Sequence, residues 1–122
     1  MVSTELARQI RSIGREVNPD TALATRNLFA PLVSELNPAE VRIARDLSYG
    51  VNERHRLDIF TPAAGFEPAR PLLIFVHGGG FIAGDKHMEG TPFFANIGQW
   101  AVRNGCNAIM MTYRLEPFYQ WP

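Results

Sequence analysis

His77-Gly78-Gly79-Gly80-Phe81 follows five apolar residues, Leu72 to Val76. So much bare backbone at the end of an apolar strand can bring N–H groups against a negatively charged atom. Three chemistries use such a stretch. Dinucleotide binding is the first, because Gly78 to Ala83 satisfies G-x-G-x-x-[G/A]. That motif must open directly into a helix whose N-terminal N–H groups hold the pyrophosphate. Here Gly84-Asp85-Lys86 follows, which is turn chemistry, and Glu116 arrives too late after the next strand to take a ribose. A phosphate loop is the second, and it needs Gly-Lys-[Ser/Thr]. This chain has Gly84-Asp85-Lys86-His87, with a carboxylate where phosphate would sit. An oxyanion hole is the third. It needs fixed N–H donors within about 3 Å of a carbonyl oxygen that gains charge. Glycine leaves the approach open and tolerates φ > 0, which aims its N–H outward. A merely flexible turn would be expected among polar neighbours, whereas Phe81 and Ile82 carry the apolar character into the loop. The oxyanion reading therefore leads.

An oxyanion hole implies a nucleophile. The serines are Ser3, Ser12, Ser34 and Ser48. None is flanked by the glycines that a strained strand-to-helix turn requires. Cys106 follows Gly105 but begins an apolar strand and has no neighbouring histidine, so it reads as an ordinary buried thiol. The spacing of His55, His77 and His87 suggests no shared metal. No metal and no cofactor is expected. Lys plus Arg and Asp plus Glu are balanced at 12 each, which argues against nucleic acid or an anionic membrane as the main partner. A lone cysteine excludes an internal disulfide and fits a reducing, cytoplasmic setting. No run approaches the ~18 apolar residues of a membrane span, and the first residues lack the apolar core of a signal peptide.

The elements that must position the glycines fall into two styles. Residues 3–17 read as an amphipathic helix, with Leu6, Ile10, Ile13 and Val17 on one stripe and Arg8, Arg11 and Arg15 opposite. Asn18-Pro19-Asp20 suits the start of a second helix running to about Leu36, which Pro31 should kink or divide. From Val41 the period changes to two. Val41, Ile43, Leu47 and Tyr49 alternate with more polar residues, with Arg45 out of pattern. Leu57 and Ile59 alternate with Arg56 and Asp58. Residues 49–54 read as the connection of an antiparallel, half-exposed hairpin. Residues 61–71 are loop, carrying three prolines and a glycine. Leu72 to Val76 is apolar on both faces, as in a strand buried on both sides. A helix over 93–103, ended by Asn104-Gly105, and a strand over 106–112 complete one β-α-β unit with a parallel pair. The domain reading is a helical segment over 1–38 and a sheet core over 39–122. With 46% apolar residues, a packed core is expected.

Together, the His77–Phe81 stretch after Leu72–Val76, Gly84-Asp85-Lys86 beyond it, and Tyr113-Arg114-Leu115-Glu116-Pro117 after the last strand resemble the hormone-sensitive-lipase-like branch of the α/β-hydrolase esterases. The resemblance runs from about Ile43 to Pro122. It implies an α/β fold: the N-terminal part of an α/β-hydrolase, mainly parallel, with an antiparallel first hairpin and two cap-like N-terminal helices. It also implies that Gly79 and Gly80 supply oxyanion N–H groups, that Gly78 and His77 support the loop, and that Phe81 meets substrate. Tyr113-Arg114 would brace the loop. Residues 3–36 match a cap over the acyl pocket in position and amphipathicity, with plain packing an equal reading. The family's G-x-S-x-G elbow, acid and histidine are not found in this chain. The expectation is an N-terminal part of a serine esterase acting on carboxylic esters, inactive alone, whose Ser-Asp-His would lie on a second chain or a C-terminal half. The alternative is an inactive fragment or binding remnant that pairs through an open sheet edge.

Overall fold

The structure, a computed structural model, describes residues 2–120 and divides into two compact units, 1–34 and 35–122. In the first unit, α1 spans Thr4–Ile13 and α2 spans Pro19–Phe29, followed by a 3-10 turn at Ala30–Leu32. The Ser3 side chain accepts a hydrogen bond from the Leu6 N–H and so caps α1. Gly14 ends α1 earlier than the apolar stripe predicts, at φ 93°, with its N–H donating to the Arg11 carbonyl. Val17 therefore lies outside the helix and is fully exposed. Asn18 opens α2 through a reciprocal capping box with Thr21, and Pro19 takes the first turn. The proline at position 31 divides the second helical stretch as expected, turning it into the 3-10 segment before Leu36 is reached. No residue of α1, α2 or the 3-10 turn is fully buried.

The second unit is a four-stranded sheet with one helix. Strands β1 (Val41–Ser48), β2 (Arg56–Pro62), β3 (Leu72–Val76) and β4 (Asn107–Met111) stand in the order β1-β2-β4-β3. The hairpin β1–β2 is antiparallel, β2–β4 is antiparallel, and β3–β4 is the parallel pair joined through α3 (Ala95–Arg103). Apolar composition on both faces predicts the β-α-β unit correctly, and the crossover places α3 on one face. There Phe60, Ala108 and Met110 pack with Val41 and with Ala95, Ala101 and Val102 of the helix. Gly98 lies against the Phe60 ring so closely that a Cβ would overlap its Cδ1. The Gln99 side chain fastens the approach to β1: its oxygen accepts from the Asn37 N–H at 2.6 Å and its nitrogen donates to the Glu35 carbonyl at 3.1 Å.

Two expectations about the strands are corrected. In β2 the alternation runs the opposite way, with Asp58 and Phe60 buried and Leu57 and Ile59 half-buried. The reason is that Asp58 is paired, as described below, so its carboxylate can sit on the covered face. In β3 burial on both faces is not realised: Leu72, Ile74 and Val76 are 54%, 55% and 56% exposed. Here β3 is the edge strand, and α3 packs on the other face. Arg45, out of pattern in the sequence, marks a β-bulge. Ala44 pairs with Ile59 and Leu47 with Leu57, so Arg45 and Asp46 together oppose Asp58.

Candidate active site

The glycine loop leaves β3 and is bonded to itself at one point. The Gly79 carbonyl accepts from the N–H groups of both Ile82 and Ala83, each at 3.2 Å. Gly79 and Gly80 have φ of 131° and 63°, a region costly for any residue with a Cβ. A Cβ on Gly79 would also run into the Ala83 carbonyl, whereas one on Gly80 would meet open space. Among the described residues, the N–H groups of Gly78, Gly79 and Gly80 donate to no protein acceptor. Phe81 follows at φ 63°, an uncommon conformation for an aromatic residue. It is held there by its carbonyl, which accepts from the Glu116 N–H at 2.8 Å. Its ring is mostly exposed and tilts against Tyr113, 5.9 Å between centroids. A cleft of about 760 Å³ opens beside the loop, lined by Gly80, Phe81, Tyr113, Glu116 and Tyr119 among others.

His77 does not face this cleft. It is 3% exposed, stacked on Tyr113 at 4.4 Å, and the Tyr113 hydroxyl donates to the His77 carbonyl at 2.7 Å. Its Nδ1 lies 2.8 Å from the Gly78 carbonyl and its Nε2 3.4 Å from the Arg54 guanidinium. A carbonyl only accepts and a guanidinium only donates. The neutral ring with its proton on Nδ1 satisfies both neighbours. Gly84, at φ 108°, packs so tightly that a Cβ would overlap the Gly78 carbonyl and the His77 ring.

Two residues of this region escape a reading along the chain. Arg54, in the hairpin connection, donates from Nε to the Tyr113 carbonyl at 2.8 Å and from Nη2 to the Gly84 carbonyl at 2.9 Å. Asp58, in β2, is wholly buried, and its carboxylate is met by two cations and one backbone N–H. Its Oδ1 accepts from the Asp46 N–H and pairs with Lys86 Nζ, both at 2.9 Å, and its Oδ2 accepts from Arg45 at 2.8 Å. Lys86, 6% exposed, also reaches Asp46 at 2.6 Å. Burial alone would lower the Lys86 pKa, but hydrogen bonds to the Asp46 and Asp58 carboxylates outweigh it and hold the ammonium above the ordinary lysine range. The hydrogen bond from Lys86 in turn lowers the Asp46 carboxyl. An alternating pattern hides these partners because Arg45, Asp46 and Lys86 all lie 12 or more residues from Asp58. The one local signal is the Gly84-Asp85-Lys86 turn, in which the Asp85 side chain accepts from the Lys86 N–H at 2.7 Å.

Of the serines, Ser3 caps α1, the Ser12 hydroxyl donates to the Gln9 carbonyl, and Ser48 ends β1 with its hydroxyl on the Gly50 carbonyl. None lines the cleft. No group of three or more His, Cys, Asp or Glu suited to a metal occurs among the described residues, and none of their helices is long and apolar enough to cross a membrane.

This arrangement has relatives. "Probable carboxylesterase 16" of Arabidopsis thaliana is 26% identical over 106 residues, which cover 80% of this chain and 22% of that protein. Esterase B from Lactobacillus Rhamnosis superposes with a TM-score of 0.60 at 20% identity, over 95% of this chain and 34% of its own. A bacterial heroin esterase does so with a TM-score of 0.57 at 21% identity, over 99% of this chain and 38% of its own. The chain thus spans about a fifth of the curated relative and about a third of the solved ones. The likeness to the solved proteins establishes the fold, that of the N-terminal part of an α/β-hydrolase. The BD-FAE family model matches residues 57–122, and the chain belongs to that family.

Proposed function

We propose that this chain is the N-terminal part of a serine carboxylesterase or related acyl hydrolase, and that its His77–Gly80 loop supplies the oxyanion hole. The observation that carries the reading is the pair of neighbouring glycines, Gly79 and Gly80. Both have positive φ, neither N–H has a protein acceptor among the described residues, and Gly80 borders the cleft. Those N–H groups would bind the tetrahedral oxyanion formed when a serine outside these 122 residues attacks the ester carbonyl. Gly78 and His77 support the loop: the buried, stacked His77 ring braces it and is not the base. Phe81 contributes an apolar wall for the substrate. The substrates are short-to-medium carboxylic esters, residues 1–38 form a cap-like segment, and the single Cys106 suits a cytoplasmic setting. The serine, acid and histidine belong to a second chain or to a C-terminal half, as the share of the relatives' length covered by this chain supports.

The test is ester turnover by a chemically synthesised 122-residue chain, compared with the same chain assembled with a polypeptide carrying the missing half of the fold. The chain alone should give no turnover above background, and the assembly should react with a fluorophosphonate probe on the other polypeptide. Replacing Gly79 by alanine should then lower kcat by about 100-fold or more. Turnover by the synthetic chain alone, or full activity in G79A, would overturn the proposal. A second reading, a binding remnant that pairs through β3, is favoured by the exposed Leu72, Ile74 and Val76. It is distinguished by an assembly that forms without any probe labelling.

A further inference from the structure

Arg54 touches both ends of the glycine loop at once. Its Nη2 lies 2.9 Å from the carbonyl of Gly84, where the loop ends, and 3.4 Å from the His77 ring, where it begins. Its Nε holds the carbonyl of Tyr113, the residue whose ring stacks on His77. The backbone of Arg54 is itself fastened. Its N–H donates to the Asn52 side chain at 2.9 Å, and its carbonyl accepts from the Thr112 hydroxyl at 2.6 Å. A planar fork so anchored fixes the distance between the loop's two ends, which a flexible ammonium could not do. The middle of the loop, by contrast, is held by the two turn bonds onto the Gly79 carbonyl and by the Glu116 N–H on the Phe81 carbonyl, and the Gly79 and Gly80 N–H groups take no part in these bonds.

We propose that Arg54 is a positioning residue of the glycine loop. It closes the His77–Gly84 segment from behind, holds the His77 ring with its proton on Nδ1, and thereby sets the directions of the Gly79 and Gly80 N–H groups. The part of this inference that concerns catalysis rests on the oxyanion reading above; the part that concerns loop geometry does not.

Nitrogen-15 NMR of the labelled 122-residue chain tests the geometry without any turnover. In the parent chain the His77 ring should show a protonated Nδ1 and an unprotonated Nε2 at neutral pH. A protonated Nε2 would overturn the proposal, because a guanidinium cannot accept its hydrogen. In Arg54→Met, the amide resonances of Gly79 and Gly80 should move or broaden while those of Ala108 and Met110 in the core stay in place. Unmoved glycine resonances in the folded variant would overturn it as well. Arg54→Lys should lie between the two. On the assembled enzyme, Arg54→Met should lower kcat by roughly 10- to 100-fold with KM changed little, since misplacing a catalytic group by about 1 Å costs rate on that scale. Arg54→Lys should restore part of the loss. Displaced glycine amides with an unchanged kcat would uphold Arg54 as the loop's clamp and overturn the oxyanion reading instead.

Discussion

Both faces of the sheet carry apolar residues, and they are unequally covered. On one face, Val41, Phe60, Ala108 and Met110 pack under α3. On the other, Leu57 and Ile59 of β2 pair with Met111 and Ile109 of β4, which in turn pair with Val76 and Ile74 of β3. Those on β4 are half-buried, and those on β3 are more than half exposed. Composition therefore records what a strand requires of its surroundings and is silent on which element meets the requirement. The covered face also holds the charges: Asp58 sits beside Phe60 on β2, and Lys86 reaches in to meet it. An apolar face left open and a carboxylate fully buried are two departures from the simple alternating pattern. The carboxylate is explained by partners far away in the chain.

The largest effect should come from the buried charges. Lys86→Met leaves the Asp58 carboxylate inside the unit with Arg45 and one backbone N–H, and Asp46 without its cation. Removing one partner of a buried ion pair costs about 3 kcal/mol at the lower end of the usual range, and urea denaturation would read it. The pH dependence follows from the two shifts. The Lys86 pKa is raised in the folded chain, so its contribution is complete below the ordinary lysine pKa of about 10.4 and is lost as pH climbs through the folded value. The Asp46 pKa is lowered, so its smaller, more exposed contribution is present above about pH 3.9 and is lost as acid drives it through the folded value. The gap between parent and Lys86→Met should be flat through neutral pH and shrink at both extremes. A gap below 1 kcal/mol at neutral pH would mean that Arg45 alone satisfies Asp58.

A smaller effect should follow at Gly98, where the covered face is tightest. Gly98→Ala puts a methyl group against the Phe60 ring, whose side chain is boxed in on the core side. Overpacking a core of this kind costs about 2 kcal/mol, partly offset by alanine's better helix propensity. A variant as stable as the parent would show that Phe60 can turn away, and that the covered face is looser than its contacts indicate.

Much of the fold was legible along the chain because its signals are local. The Asn18-Pro19 start of α2, the break at Pro31, the hairpin, the β-α-β unit and the positive φ of Gly79 and Gly80 each depend on residue type within a few positions. Gly14 carried a stop signal that the regular spacing of Val17 masked. The sense of alternation in β2 was not legible, because an aspartate between apolar residues reads as solvent-facing unless its cations are known. Those cations are Lys86, from beyond the glycine loop, and Arg45, which shares a bulge. Arg54 was hidden for the same reason: in a turn it looks like surface, and its carbonyl partners leave no trace in the sequence. Nor is the burial of the His77 ring legible locally, because the ring that stacks on it belongs to Tyr113, beyond β4.

The smallest expected effect is at the open face, and it tests the comparison most directly. Ile74 pairs with Ile109 across the parallel ladder but is 55% exposed. Ile74→Lys replaces an apolar side chain with one that can carry its charge into water while its stem covers the same neighbours. For a side chain this exposed, the change in unfolding free energy should stay within about 0.5 kcal/mol. The same substitution one residue on, Phe75→Lys, points at the covered face, where Phe75 packs against Phe94 at 4.8 Å. It should cost several times more. Equal and large costs at both positions would mean that the open face is covered in solution. The two faces would then differ in which element covers them rather than in whether one does.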